Sequence, residues 1–193
     1  MTDSQQKQLL DFFLKFNSIS LEVFERILQI SHVLHIHKNS DLQAIGQTCK
    51  TIYFINKGCA RIYYLNNTGI DITDSFILEN QVIVRVESLF TGTPSRKGIQ
   101  VLEDAEITAI NATKLFELYD AYPEVERLFR KIFERSHIET VERVESIQFH
   151  SAEERYQMLL SSNPDIIKRI PLKYISSYLG ITQVSLSRIR GQK

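Results

Sequence analysis

The sequence predicts an α+β protein: an antiparallel β-sandwich or barrel with flanking helices, then one long helix, then a small all-helical C-terminal domain. Three observations carry this. Short β-rich runs separated by Gly and Asn occupy the stretch from about residue 33 to 110. An apolar stripe at helical spacing follows Pro123, and a capping box at Ser151 opens a series of short helices.

Leu9, Leu10, Phe12, Phe13 and Phe16, then Val23, Phe24, Ile27 and Leu28, recur at helical spacing and predict two N-terminal helices. Ser20 is placed to cap the second, although Val23 stands where a capping box would need Glu or Gln. From Val33 the pattern shortens. Residues 51–55 end at Asn56-Lys57-Gly58, and residues 60–65 end at Asn66-Asn67-Thr68-Gly69. Residues 71–78, 81–86, 99–102 and 106–110 complete the strand-like runs. Gly and Asn tolerate left-handed turn conformations, so this punctuation fits antiparallel strands joined by short connections.

Pro123 suits a first helical turn, where a missing N–H costs nothing. Val125, Leu128, Phe129, Ile132, Phe133, Ile138, Val141, Val144 and Ile147 then form one stripe through residues 123–149. At about 1.5 Å per residue the helix is on the order of 40 Å long, more than one small domain usually covers. The stripe has two readings, packing on its own domain and pairing with a second copy, and both can hold along different portions. Phe129, Ile132, Phe133, Val141 and Val144 are the candidate dimer contacts.

Ser151-Ala-Glu-Glu154 is a capping box, which places a hinge near Phe149 and His150. Tyr156, Leu159 and Leu160 give the next helix a buried face, and Asn163-Pro164-Asp165 breaks it. The domain limits expected are therefore 1–122, 123–149 and 150–193. Within the last, Ile175, Tyr178 and Leu179 line a short helix, Gly180 ends it, Thr182 caps the next, and Leu186 and Ile189 bury that helix. Two short helices joined by a tight Gly-containing turn form the helix-turn-helix pattern, whose second helix enters the DNA major groove. Gln183, Ser185, Ser187, Arg188 and Arg190 remain outside. Arg donates a pair of hydrogen bonds to guanine, Gln pairs with adenine, and hydroxyls such as those of Thr182 and Ser185 hold phosphates.

Charge distribution agrees. Residues 1–150 hold 16 basic and 20 acidic side chains, whereas residues 151–193 hold 7 and 3, with no acidic residue from Pro171 onward. A basic end on an acidic body fits phosphate binding. Composition excludes other classes: 43% hydrophobic and 24% charged residues are ordinary for a globular domain, and no apolar run reaches the roughly 20 residues of a membrane span. No secretory signal is expected at the N-terminus, and a cytoplasmic, membrane-free protein follows. Cys49 and Cys59 stand apart, which argues against disulfide, zinc or iron-sulfur chemistry. His35 and His37 share one face of a possible strand, but no third ligand follows at metal-site spacing, and no catalytic motif is present, so no enzyme, metal or cofactor is expected.

The whole chain resembles the Crp/Fnr family of bacterial transcription regulators. The resemblance rests on Ser151-Ala-Glu-Glu-Arg-Tyr156, Pro171-Leu-Lys-Tyr-Ile175, Tyr178-Leu-Gly-Ile-Thr182 and Ser185-Leu-Ser-Arg-Ile-Arg190. Ile55-Asn-Lys-Gly58, Thr91-Gly-Thr-Pro-Ser95 and Val101-Leu-Glu-Asp104 add weaker support. It implies a cupin-like, cyclic-nucleotide-binding-like β-roll, a dimerisation helix and a DNA-reading helix, with double-stranded DNA, a second copy and RNA polymerase as partners. By position the base-reading residues fall on Gln183, Val184, Ser187 and Arg188. Val184 stands where better-known members carry a glutamate, so target preference should differ. The chain also ends at Lys193, directly after the reading helix, where members commonly continue.

The resemblance also implies an effector pocket around Glu87, Ser88, Ser95 and Arg96. In cyclic-nucleotide-binding members a glutamate holds the ribose and an Arg-Ser or Arg-Thr pair holds the phosphate. Here Glu87 is about one residue out of place, Ser95-Arg96 is inverted, and the glycine before the glutamate is absent. An effector other than cyclic AMP, or none, is expected; one that acts would do so by shifting the hinge near Phe149–Ser151. The alternative is a ligand-binding regulatory or interaction module that has lost specific DNA binding.

Overall fold

The structure is a computed structural model that describes residues 1–191. Gln192 and Lys193, the last residues of the expected 150–193 domain, lie outside the described residues. Helices α1 (Asp3–Leu14) and α2 (Leu21–Gln29) form where the apolar spacing places them. Thr2 and Gln5 close a capping box at the start of α1. The Ser20 hydroxyl accepts the Val23 N–H at 3.3 Å to start α2.

Eight antiparallel strands follow in two four-stranded sheets. One has the order β1 (Ser31–Ile36), β8 (Ala105–Asn111), β3 (Thr51–Lys57), β6 (Val82–Ile83). The other runs β2 (Asp41–Gln43), β7 (Gly98–Val101), β4 (Ala60–Leu65), β5 (Asp71–Ile77). Their facing sides share one apolar cluster that includes Ile55, Ile62, Ile83, Ile99, Val101 and Ile107. Gly58 closes the turn between β3 and β4 at φ +95, and a Cβ there would lie 3.0 Å from the Ala105 Cβ, so only Gly fits.

Two helices within residues 1–122 were not legible in the sequence. Helix α3 (Val86–Thr91) continues a run that reads as strand, because six residues are too few to display a helical period. Helix α4 (Ala112–Ala121) starts at Asn111, whose side chain accepts the Lys114 N–H at 3.0 Å. Its apolar residues are crowded into 115–119, where the sequence reading saw only an interval before Pro123.

The long helix, α5, spans Pro123–Phe149, the expected limits. Its first half belongs to the core formed with α1, α2 and α4: Val125, Leu128, Phe129 and Ile132 are buried, and the Phe13 and Phe129 rings meet edge-on at 5.7 Å. Four short helices complete the described chain: α6 (Ala152–Ser162), α7 (Ile166–Arg169), α8 (Leu172–Leu179) and α9 (Gln183–Gly191). Their core is continuous with the roll, for Cys59 and Leu102 are buried in the same cluster as Tyr156, Ile166, Ile170, Ile175, Leu179 and Leu186.

Candidate nucleic-acid interface

The turn between α8 and α9 is built by local chemistry. Gly180 takes φ +70, its N–H reaches the Ser177 carbonyl at 3.0 Å, and the Ile181 N–H reaches Ser176 at 3.0 Å. Thr182 then caps α9 by accepting the Ser185 N–H at 3.1 Å. Leu186 is buried and Ile189 half-buried against α8 and its neighbours, which fixes the rotation of α9 about its axis. That rotation leaves Thr182, Gln183, Val184, Ser187, Arg188 and Arg190 exposed and Ser185 half-exposed. Among the described residues neither arginine of α9 is engaged in an ion pair, so both guanidinium groups keep their donors for an external anion or base edge.

Four arginines hold this unit in place. Arg155 donates to the His150 and Leu179 carbonyls at 2.6 Å each, fastening α6 to the end of α5 and to the end of α8. Arg143 of α5 lies over the Tyr178 ring at 3.7 Å and donates to the Tyr178 carbonyl. Arg169 bridges to Glu79 and Glu103 of the roll at 2.6 and 2.7 Å. Burial alone would raise the Glu79 carboxyl, but the Arg169 guanidinium and the Gly58 N–H hold it below its ordinary value. Arg61 is only 1% exposed, pairs with both Asp71 oxygens at 2.5 Å, and lies over the Tyr174 ring of α8 at 3.8 Å. Ser177 accepts the Thr73 N–H at 2.8 Å, so α8 also occupies the free edge of β5.

The expected effector residues are only partly gathered. Ser88 is buried, accepting the Cys49 N–H at 2.9 Å and donating to the Thr93 carbonyl at 2.5 Å, which makes it a fastener of the loop. Arg96 is exposed. Glu87 and Ser95 do meet, around a residue the sequence reading overlooked: Arg85 donates to Glu87 at 2.7 Å and to the Ser95 hydroxyl at 3.3 Å. The available signal was a single cation inside the apolar run 82–86. Burial pushes the Glu87 carboxyl upward, and Arg85 outweighs it, so the group stays ionised below its ordinary range.

The dimer contacts expected on α5 divide in two. Phe129, 0% exposed, and Ile132 are spent in the chain's own core, which leaves them no surface to offer a second copy. Phe133 is half-buried under the exposed Phe90 ring of α3, with centroids 5.3 Å apart. Val141 and Val144 stay exposed, joined by Ile138 and Ile147, which the sequence reading placed in the stripe without naming them as contacts. No described helix is long and apolar enough to cross a membrane.

Comparison with known proteins places this architecture. Residues 33–122 match the family model of the cyclic nucleotide-binding domain. FixK2 from Bradyrhizobium japonicum superposes with a TM-score of 0.74 at 17% identity, over 84% of each chain. The chain has the Crp/Fnr fold. A putative transcriptional regulator of the Crp/Fnr family from Eubacterium rectale gives a TM-score of 0.73 at 16% identity, over 94% of this chain and 87% of that one. The global regulator CLP of Xanthomonas campestris, described as c-di-GMP responsive, gives 0.71 at 14% identity over 90% and 91%. A search of the curated proteins found no sequence match. In Crp/Fnr terms, residues 31–111 form the β-roll, α5 is the long connecting helix, and α8 and α9 form the helix-turn-helix.

Proposed function

We propose that this chain is a homodimeric, sequence-specific DNA-binding transcription regulator that reads the major groove with α9. The observation that carries the reading is the outer face of α9. Gln183, Val184, Ser187, Arg188 and Arg190 are all exposed, on a helix anchored by Leu186 and Ile189 in a segment free of acidic residues. Arg188 is the candidate guanine reader, Gln183 the adenine reader and Val184 a contact for a thymine methyl group, with Thr182 and Ser185 on phosphate. The regulators whose fold it shares support the assignment.

Dimerisation follows from α5. Ile138, Val141, Val144 and Ile147 are three residues apart and exposed, and a helix this polar elsewhere has no reason to display them unless they pack on a partner. A parallel pair of α5 helices would bring two α9 helices to successive major grooves, about 34 Å apart. RNA polymerase is then the natural further partner of a bound dimer.

Selection of duplexes from a random library, followed by affinity against salt for the winner, tests the reading. An inverted repeat bound by a dimer with a steep salt dependence is expected. Only weak, sequence-indifferent binding would favour the alternative, an interaction module that has lost specific DNA recognition.

A further inference from the structure

We infer that Arg85, the buried cation beside Ser95, is closed to an effector's phosphate by the chain's own Glu87 carboxylate. The roll therefore takes no cyclic nucleotide through this cation. The inference deepens the proposed regulator reading by assigning the state of its effector site.

Arg85 sits just before α3 with a side chain 11% exposed, and a guanidinium in such surroundings needs a counter-charge. Glu87 provides it at 2.7 Å, and is the ion-pair partner of Arg85 among the described residues. The Ser95 hydroxyl has no capacity left: it lies 3.3 Å from both Arg85 Nε and Glu87 Oε1, donates to the Lys97 carbonyl at 2.8 Å and accepts the Lys97 N–H at 3.2 Å. The cluster has zero net charge, so an incoming phosphate gains no unpaired cation and would leave Glu87 without its partner.

Of the two cations that follow Ser95, Lys97 is committed to Asp74 at 2.7 Å, and Arg96 is exposed to solvent, which screens its charge. Deeper in, the space between the sheets is taken by the side chains of Ile55, Ile62, Ile83, Ile99, Val101 and Ile107, which offer a purine or ribose no hydrogen bond. Glu87 itself is 52% exposed, so it stands on the solvent side of Arg85, the side from which a soluble anion would approach.

The test is calorimetric titration and thermal melting of the full chain with cyclic AMP, cyclic GMP and inorganic phosphate. The wild-type protein should show neither heat nor a Tm shift at millimolar ligand. Glu87→Gln keeps the side-chain shape and removes the charge. It should gain roughly tenfold or more in affinity for phosphate and the cyclic nucleotides, because a charge-assisted donor pair becomes free. Adding Arg85→Gln to that variant should abolish the gain. Cyclic nucleotide binding by the wild-type chain overturns the inference, and so does a folded Glu87→Gln variant that gains no anion affinity. If Glu87→Gln does not fold, the wild-type titration decides alone. Ligand binding is read directly, so its outcome is separate from duplex selection, whose failure would count against the DNA-binding reading only.

Discussion

Arg61→Met asks whether the helix-turn-helix and the roll are one cooperative unit. The Arg61 guanidinium is bonded to Asp71, Thr73 and Gln100 and lies between the rings of Tyr63 and Tyr174. Removing one partner of a buried ion pair typically costs about 3–5 kcal/mol, most of it for the charge left behind. Here the remaining charge is Asp71, whose side chain is 43% exposed and can rehydrate, so that part falls to about 2 kcal/mol. Losing the desolvated stack on Tyr174 adds about 1 kcal/mol, while Met retains the apolar stem. The expected loss is about 3 kcal/mol, or roughly 6–12 °C in Tm for a chain of this size. Calorimetry and urea unfolding followed by two probes, one in each unit, supply the measurement. The reverse truncation, Asp71→Leu, should cost at least as much, because it leaves the fully buried partner uncompensated, whereas Arg61→Met/Asp71→Leu together should recover part of the loss. A loss under about 1 kcal/mol for Arg61→Met would refute the claim that this pair fastens α8 to the roll.

Four further outcomes follow from the same geometry. Arg188→Ala should weaken operator binding by roughly 1–3 kcal/mol and relax preference at one base pair in competition assays, whereas a uniform loss over all sequences would make Arg188 a phosphate contact. Val144→Glu places a charge on the exposed stripe of α5, where Val144 is 48% exposed, and should raise the dimer dissociation constant about a hundredfold in sedimentation without lowering monomer stability. Phe129→Ala should do the opposite and cost about 3–5 kcal/mol of folding, and a dimer undisturbed by Val144→Glu would place the interface elsewhere. The Glu79 carboxyl is depressed below its ordinary 4.5 on folding, so its contribution is fully present above about that pH and is lost as pH falls through the lowered value. Melting temperature should therefore drop more steeply below pH 4.5 in the wild type than in Glu79→Gln, and parallel curves would show that the Glu79–Arg169 pair contributes nothing.

The sequence alone determined whatever short-range chemistry controls. Pro123 and the long stripe set the limits of α5. Ser151 with Glu154 started α6, and Gly180 with Thr182 set the turn before α9, because caps and left-handed glycines act within four residues of their own position. The outward residues of α9 were legible for the same reason, since Leu186 and Ile189 fix its buried side through helical periodicity. Tertiary structure decided what depends on residues distant in the chain. Phe129 and Val144 lie on the same apolar stripe and look equivalent in sequence, yet only contact with α1 and α4 buries the first and leaves the second free. Arg61 and Arg85 each stand in an apolar run that reads as plain strand. Their burial and pairing depend on Tyr174, more than a hundred residues away, for one, and on a loop closing Ser95 onto Glu87 for the other. A charge can be buried only where the fold brings its partners together, and local pattern carries no record of that meeting.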